Sequence, residues 1–508
     1  MNRKNPILTG TLILTAAGFI TRILGFFYRI YLSDLIGAEG MGLYQLLFPV
    51  FGVCFSLCCG PIQTSISRYV ASSVADETNC RRFFHAGFLL SLFLSLLSTI
   101  ALYLFAPQIA RYILLEQRCA PLLKIMALSI PVNSVHCCIC GYYYGKKKAA
   151  VPAFSQLAEQ LVRVFSVYLI VQVMLSQGKE ITTMIAVIGL FTGEAGAMLY
   201  TIAAYTVTRT FYRARAAAAV RSISYAQAGI NILKMAIPLA ANRLVISMLQ
   251  SVEAVMIPGR LQMYGLTSSQ ALAVYGTLTG MAMHFIMFPS ALTNSIAVML
   301  LPEVAEAQSL NHTGKISRNA SVSLSFCLSI GILCTGVFIY YGMDMGVLFF
   351  KNEMAGQFIR NLAWLCPFLY IATTMGSILN GMGKTSLTFT NSLISLILQL
   401  AFIIFGIPRF GIGAYLVGML VSELTLCFLH LEAVKKSAAL SFQPFHHLAK
   451  PLCAFFLSHW ITQTFTGALY RQVSFHPMVK LLTSAGILSG IYLLLLILTN
   501  GWENKIHS

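Results

Sequence analysis

Apolar residues run along this chain in long stretches separated by short polar connections. Cutting at charged or Gly/Pro-containing breaks leaves fourteen such segments, near 7–32, 41–71, 84–106, 120–145, 152–176, 182–207, 228–257, 270–300, 320–342, 356–381, 385–407, 411–434, 447–469 and 478–499. Each can form a helix that crosses a bilayer, which takes about 20 residues. The pattern predicts an all-α polytopic membrane protein with fourteen transmembrane helices and no sizeable soluble domain. Composition agrees: 57% of the 508 residues are hydrophobic and 10% charged, and the mean hydropathy is +0.76, beyond what a soluble core of this length uses.

The exceptions within the apolar segments carry the chemistry. Arg22 and Arg29 lie seven residues apart in the first segment, nearly two helical turns, and share a face with Thr11, Thr15, Gly18 and Gly25. An arginine at a helix centre in a bilayer costs roughly 2.5 to 3.5 kcal/mol even on the gentlest scale. Two of them on one polar stripe point to a watery cavity that accepts an anion. In the fifth segment Gln156, Glu159, Gln160 and Arg163 fall on one side of a helix, with Glu159 and Arg163 in the favourable i, i+4 order. They read equally as a self-neutralising pair or as a pair for which a substrate or proton competes. In the seventh segment Arg243, Ser247 and Gln250 form a similar stripe with Glu253 beside it. Glu194 follows Gly189-x-x-x-Gly193, a spacing that marks close helix contact. Glu194, Glu253 and His284, the last near Pro289, are candidates for ion coupling. The cluster Cys137, Cys138 and Cys140 lacks the second pair or histidines of a metal site and reads as core packing.

The net charge of +18 raises nucleic acid as a partner, and its placement argues against one. Alternate connections hold eighteen Lys and Arg in one set, among them Arg81, Arg82 and Lys146 to Lys148, and nine in the other, among them Arg118. This positive-inside bias places the richer connections and both termini in the cytoplasm. After Arg3-Lys4 the first segment lacks a signal peptide's cleavage site, so it is expected to be retained. Echoes between Gly141-Tyr-Tyr-Tyr-Gly145-Lys146 and Asn380-Gly-Met-Gly383-Lys384 suggest a six-plus-six parallel repeat. The expected divisions are an N-terminal lobe at 1–207, a basic cytoplasmic linker at 208–227, a second six-helix lobe at 228–434, and two additional helices at 435–508. Gly383-Lys384-Thr385 resembles the end of a phosphate-binding loop, but Ile378 stands where that motif needs glycine. Nothing else suggests an enzyme, a metal or a cofactor.

Thr21-Arg22-Ile-Leu-Gly25-Phe26 with Arg29, then Ile36-Gly37-Ala-Glu39-Gly40-Met-Gly42-Leu43-Tyr44, resemble the opening of the stage V sporulation protein B family, the polysaccharide-biosynthesis branch of the multidrug, oligosaccharidyl-lipid and polysaccharide exporters. The likeness continues through Gly141 to Lys146, Gln156 to Arg163, Tyr275 to Gly280, and Phe288-Pro289-Ser290 to Leu301-Pro302. It implies two lobes around a cavity and alternating-access transport of undecaprenyl-pyrophosphate-linked sugars in the bacterial cytoplasmic membrane, in this branch for the spore peptidoglycan cortex. Arg22, Arg29 and Arg243, with Glu159, Arg163 and Gln250, would then bind substrate. The expected partners are the lipid-linked glycan, membrane lipids and cell-wall synthases. The related lipid II flippases look similar at Arg22, but their second arginine falls where this chain has Tyr28, and a later one where it has His284. A cation-coupled drug exporter and a non-transporting scaffold for cell-wall synthesis stay open as alternatives.

Overall fold

The computed structural model describes residues 6–73, 76–213, 223–438, 445–472 and 475–506, and these are helical throughout apart from short connections. Arg3, Lys4 and the linker residues Arg215 and Arg221 lie outside them. The helices are α1 (Pro6–Gln45), α2 (Leu47–Cys58), α3 (Gly60–Ser72), α4 (Glu77–Gln108), α5 (Cys119–Gly145), α6 (Ala150–Ser176), α7 (Met184–Arg213), α8 (Tyr225–Met263), α9 (Ser268–Gly276), α10 (Met283–Met287) and α11 (Ser290–Ser309), followed by α12 (Thr313–Phe350), α13 (Glu353–Leu362), α14 (Cys366–Gly381), α15 (Thr385–Ala401), α16 (Ile407–Phe410), α17 (Ile412–Ala438), α18 (Lys450–Gln472) and α19 (Pro477–Ile506).

Among the described residues twelve helical spans are long and apolar enough to cross a membrane, and a thirteenth arises if Ser268–Met287 and Ser290–Ala297, bent by 59°, form one span. The protein is a multi-pass membrane protein, but the count stops short of the expected fourteen. The difference is α18: it is 23 residues long, yet His459, Gln463, Arg471 and a series of threonines dilute its apolar run. The bend sits at Pro289, whose ring removes a backbone N–H from the helical ladder.

The first helix does not stop near residue 32. It continues to Gln45 and turns only at Gly37, whose φ of 69° is left-handed, so Asp34 and Glu39 belong to a broken helix rather than to a loop. The second apolar segment is likewise split at Cys59 into α2 and α3. By packing, the chain falls into two units, Met1–Gln262 with Leu266–Gly276, and Met263–Gly265 with Thr277–Ser508. The first unit is held by α6 on α7, α4 and α7 on α5, α1 on α6, and α9 on α1. In the second, α12 packs on α13 and α14, α11 and α17 on α14, and α18 on α19.

Glycine makes the α1–α9 contact. A Cβ on Gly42 would strike the backbone carbonyl of Leu272, and one on Gly276 would strike the backbone of Ala38 and Gly42. No flexible side chain is available to yield, which is how small residues bring membrane helices close. Beside this seam Arg118, in the connection before α5, reaches Glu116 at 2.9 Å and Glu39 at 2.7 Å, and Ser268 Oγ donates to Glu116 at 3.2 Å. Arg118 thereby holds the Glu116 carboxyl below the usual carboxylate range.

Gly42→Val is expected to lower stability by about 1–3 kcal/mol through overpacking, read as a lower thermal midpoint in detergent. A midpoint equal to wild type would show that the seam does not depend on close approach. The Glu116–Arg118 pair has its own pH signature. A depressed folded pKa contributes stability above the ordinary glutamate range, and that contribution is lost as pH falls through the folded value. Arg118→Ala should therefore lower the melting midpoint at neutral pH, with the gap to wild type closing in acid.

Candidate functional site

The polar centre of the first unit is built where α1, α5, α6 and α7 meet. Gly189, Gly193 and Gly196 let α7 lie directly on α6. A Cβ on Gly193 would sit 2.9 Å from Arg163 Nε and 3.0 Å from the Glu159 carbonyl, and one on Gly189 would sit 3.0 Å from the Tyr28 hydroxyl. The glycines thus mark close helix contact, and the space they leave is occupied by the Arg163 side chain. Arg163 pairs with Glu159 one turn earlier on the same helix, and both side chains are largely buried. A salt bridge in such surroundings survives only because each charge is matched.

The match is incomplete. Among the described residues, buried Arg163 Nε, Gln160 Oε1, Tyr28 Oη and Glu194 Oε2 have no hydrogen-bond partner. Buried polar groups are rarely left so. Four such atoms in this one region make it the candidate site. Gln160 Oε1 lies against Gly25 of α1, 4.0 Å from where its Cβ would be. Arg29 is partly buried, within electrostatic range of Tyr28, Tyr44 and Arg163. The arginines of α1 and α6 thus share one centre.

Glu194 on α7 is buried, and its Oε2 lies 3.9 Å from His136 Nδ1 on α5. The other ring nitrogen of His136 is 3.0 Å from Ser155 Oγ on α6. Arg243 is placed differently, with its guanidinium over Gly60 at the α2–α3 break, where a Cβ would collide with Nη1. Below it Ser251 Oγ donates to the carbonyls of Pro49 at 3.2 Å and Ser247 at 2.6 Å, so this stripe of α8 packs on α2. Gln250 and Arg22 are exposed, and Glu253 is partly buried on α8. His284, on α10, belongs to the second unit. The structure therefore gathers Arg29, Glu159, Arg163 and Glu194, and sets Arg22, Arg243 and Gln250 apart from that cluster.

His136 completes the site without having stood out in the sequence, and Tyr28 stood out there only as the residue at which the related lipid II flippases carry an arginine. A lone histidine in an apolar run has no local signal, and Tyr28 is one aromatic among many. Only the packing of α5 on α7 and of α1 on α6 gives them polar neighbours. The cysteines behave as small hydrophobes: Cys137 packs with Cys58 and Cys59 and donates to Asn133 Oδ1 at 2.9 Å.

Residues 7–308, which contain every one of these groups, match the family described as polysaccharide biosynthesis protein. The chain belongs to that family. Among the relatives of this polysaccharide biosynthesis protein, Stage V sporulation protein B of Bacillus subtilis (strain 168) is 26% identical over 444 residues, covering 86% of this chain and 85% of its own. Two solved structures share the fold. "Lipid II flippase MurJ, inward closed conformation" superposes with a TM-score of 0.69 at 13% identity, over 98% of this chain and 100% of its own. An inward-facing multidrug resistance MATE family transporter superposes with a TM-score of 0.62 at 13% identity, over 85% of this chain and 100% of its own. These similarities are to transporters and a flippase, and the chain is not an enzyme.

If the Glu159–Arg163 pair is structural, removing one partner strands a buried charge. Arg163→Leu alone is expected to cost about 3–5 kcal/mol, and Glu159→Leu with Arg163→Leu to recover most of that loss. Thermal unfolding of the single and double variants in detergent decides it. A double variant as unstable as the single would mean that the pair is not what holds the charges.

Proposed function

We propose that this polysaccharide biosynthesis protein is a flippase that carries an undecaprenyl-pyrophosphate-linked oligosaccharide, a peptidoglycan precursor for the spore cortex, outward across the cytoplasmic membrane. The observation that carries the reading is the pair of arginines at the polar centre of the first unit, where Arg29 and Arg163 lie within electrostatic range of each other and Arg163 Nε has no partner. A guanidinium with an unused N–H suits a pyrophosphate, whose oxygens accept charge-assisted hydrogen bonds. Arg22, two turns along α1 and exposed, extends the same face toward an arriving anion, and Arg243 supplies a further cation. Similarity to Stage V sporulation protein B and to the lipid II flippase structure supports the substrate class.

In this reading two six-helix lobes, 1–207 and 228–434, rock against each other while the lipid tail stays in the bilayer. Both termini and the basic connections face the cytoplasm, as the distribution of Lys and Arg favours. Cell-wall synthases on the outer side receive the product. No ATP site is required, so an ion gradient or the membrane potential drives the cycle, with Glu194, Glu253 and His284 as the ionisable groups available.

The test is outward movement of a labelled undecaprenyl-pyrophosphate-linked disaccharide-peptide in proteoliposomes. A lost charge-assisted hydrogen bond is worth about 1.5–3 kcal/mol, so Arg29→Ala should slow translocation about 10- to 100-fold, with a smaller loss in Arg22→Ala. Wild-type protein that moves no such lipid, or an Arg29→Ala variant as active as wild type, would refute the reading.

A further inference from the structure

The hydrogen bonds around His136 leave one proton unaccounted for. Ser155 has a single hydroxyl proton, which it donates to the Pro152 carbonyl at 2.8 Å. Its oxygen can therefore only accept from His136 Nε2, 3.0 Å away, and that nitrogen carries a hydrogen. The neutral ring would then aim the bare lone pair of Nδ1 at Glu194 Oε2, 3.9 Å distant, and Oε2 is buried with no hydrogen-bond partner. Two acceptors facing each other away from water repel. Adding one proton, on Nδ1 or on the carboxyl, turns the repulsion into an ion pair or a hydrogen bond.

We infer that His136 and Glu194 form a proton-binding site inside the first unit, and that its loading favours anion binding at Arg163 and Arg29. The groups facing the pair are Cys137 and Cys140 from its own helix α5, Cys59 from the break between α2 and α3, and Glu159 and Arg163 from α6, with Arg29 of α1 beside Arg163. The thiols are neutral and Glu159 with Arg163 sums to zero. With Arg29 of α1 counted, the cluster is neutral when His136 is neutral and Glu194 ionised, and it carries one positive charge once a proton has entered from water, a charge that a bound anion neutralises. An unneutralised charge in a bilayer-embedded site is strongly disfavoured. Without the proton, the ionised Glu194 carboxylate draws on Arg163 as Glu159 does. With it, the free N–H of Arg163 and the neighbouring Arg29 are released for an incoming anion. The coupling is reciprocal: anion binding draws a proton in, and anion release lets one leave to water. The proton site rests on the hydrogen-bond geometry alone, whereas its coupling to an anion rests on the flippase reading.

The test uses the full-length protein in lipid nanodiscs with 15N-labelled histidine, the His136 signal being assigned by its loss in His136→Gln. In wild type that signal should move with pH in one step. In Glu194→Gln the amide N–H fills the place of the proton, so the step should vanish, while Glu194→Asp, which keeps a carboxylate, should retain it. A His136 signal that moves identically in wild type and Glu194→Gln, or that does not move in wild type, overturns the site. The same samples are then titrated with undecaprenyl pyrophosphate in weak buffer. Binding with uptake of about one proton in wild type and none in Glu194→Gln supports the coupling, and binding without uptake in wild type refutes it. Should the lipid fail to bind while the step persists and depends on Glu194, the proton site stands and the flippase reading falls.

Discussion

A guanidinium cannot be left in hydrocarbon, and the first unit is organised around that constraint at Arg163. Its charge is met by Glu159 on the same helix. Its volume is accommodated because α7 offers Gly193 and Gly189 where side chains would otherwise stand. The glycines that let two membrane helices touch are thus also the ones that admit a charged side chain between them, so packing and electrostatics share the same positions. Tyr28, Gln160 and Glu194 are drawn in by the same approach, and each keeps a polar atom without a partner.

That incompleteness separates a site from a strut. An ion pair kept only for packing should satisfy its donors and acceptors, because every unpaired group in a low-dielectric interior costs stability. Here the unpaired atoms have complementary characters: a cationic N–H on Arg163, a hydroxyl on Tyr28, an amide oxygen on Gln160 and a carboxylate oxygen on Glu194. In the proposed reading the donors suit a pyrophosphate and, of the two acceptors, the carboxylate oxygen suits a proton. Fold similarity to both a lipid II flippase and a multidrug transporter does not choose between an anion and a cation as cargo. The anion is the cargo we propose, on the ground of the two arginines at the centre.

Arg243, by contrast, is exposed and lies at another place in the unit. Its stripe on α8 leans on the break between α2 and α3, where Gly60 leaves room for the guanidinium. Near it Cys58, Cys59 and Cys137 fill space as small hydrophobes, and Cys59 and Cys137 in turn face the His136–Glu194 pair.

Long-range patterning of the sequence determined the class of protein, because hydrophobic length and the placement of Lys and Arg are properties of the chain that a bilayer reads directly. It also determined the Glu159–Arg163 pair, whose members lie one turn apart on one helix, and the close approach marked by Gly189 and Gly193. What periodicity could not reach was anything that needed two helices at once. The bend of α1 at Gly37 rather than an end near residue 32, the split of the second span at Cys59, and the shortfall of α18 all turn on local backbone geometry or on dilution of an apolar run. The meeting of Arg29 with Arg163, and of His136 with Glu194, was decided only by tertiary packing. A helix face fixes the direction in which a side chain points, but which side chain waits on the other side depends on how the helices are arranged, and one helix carries no record of that.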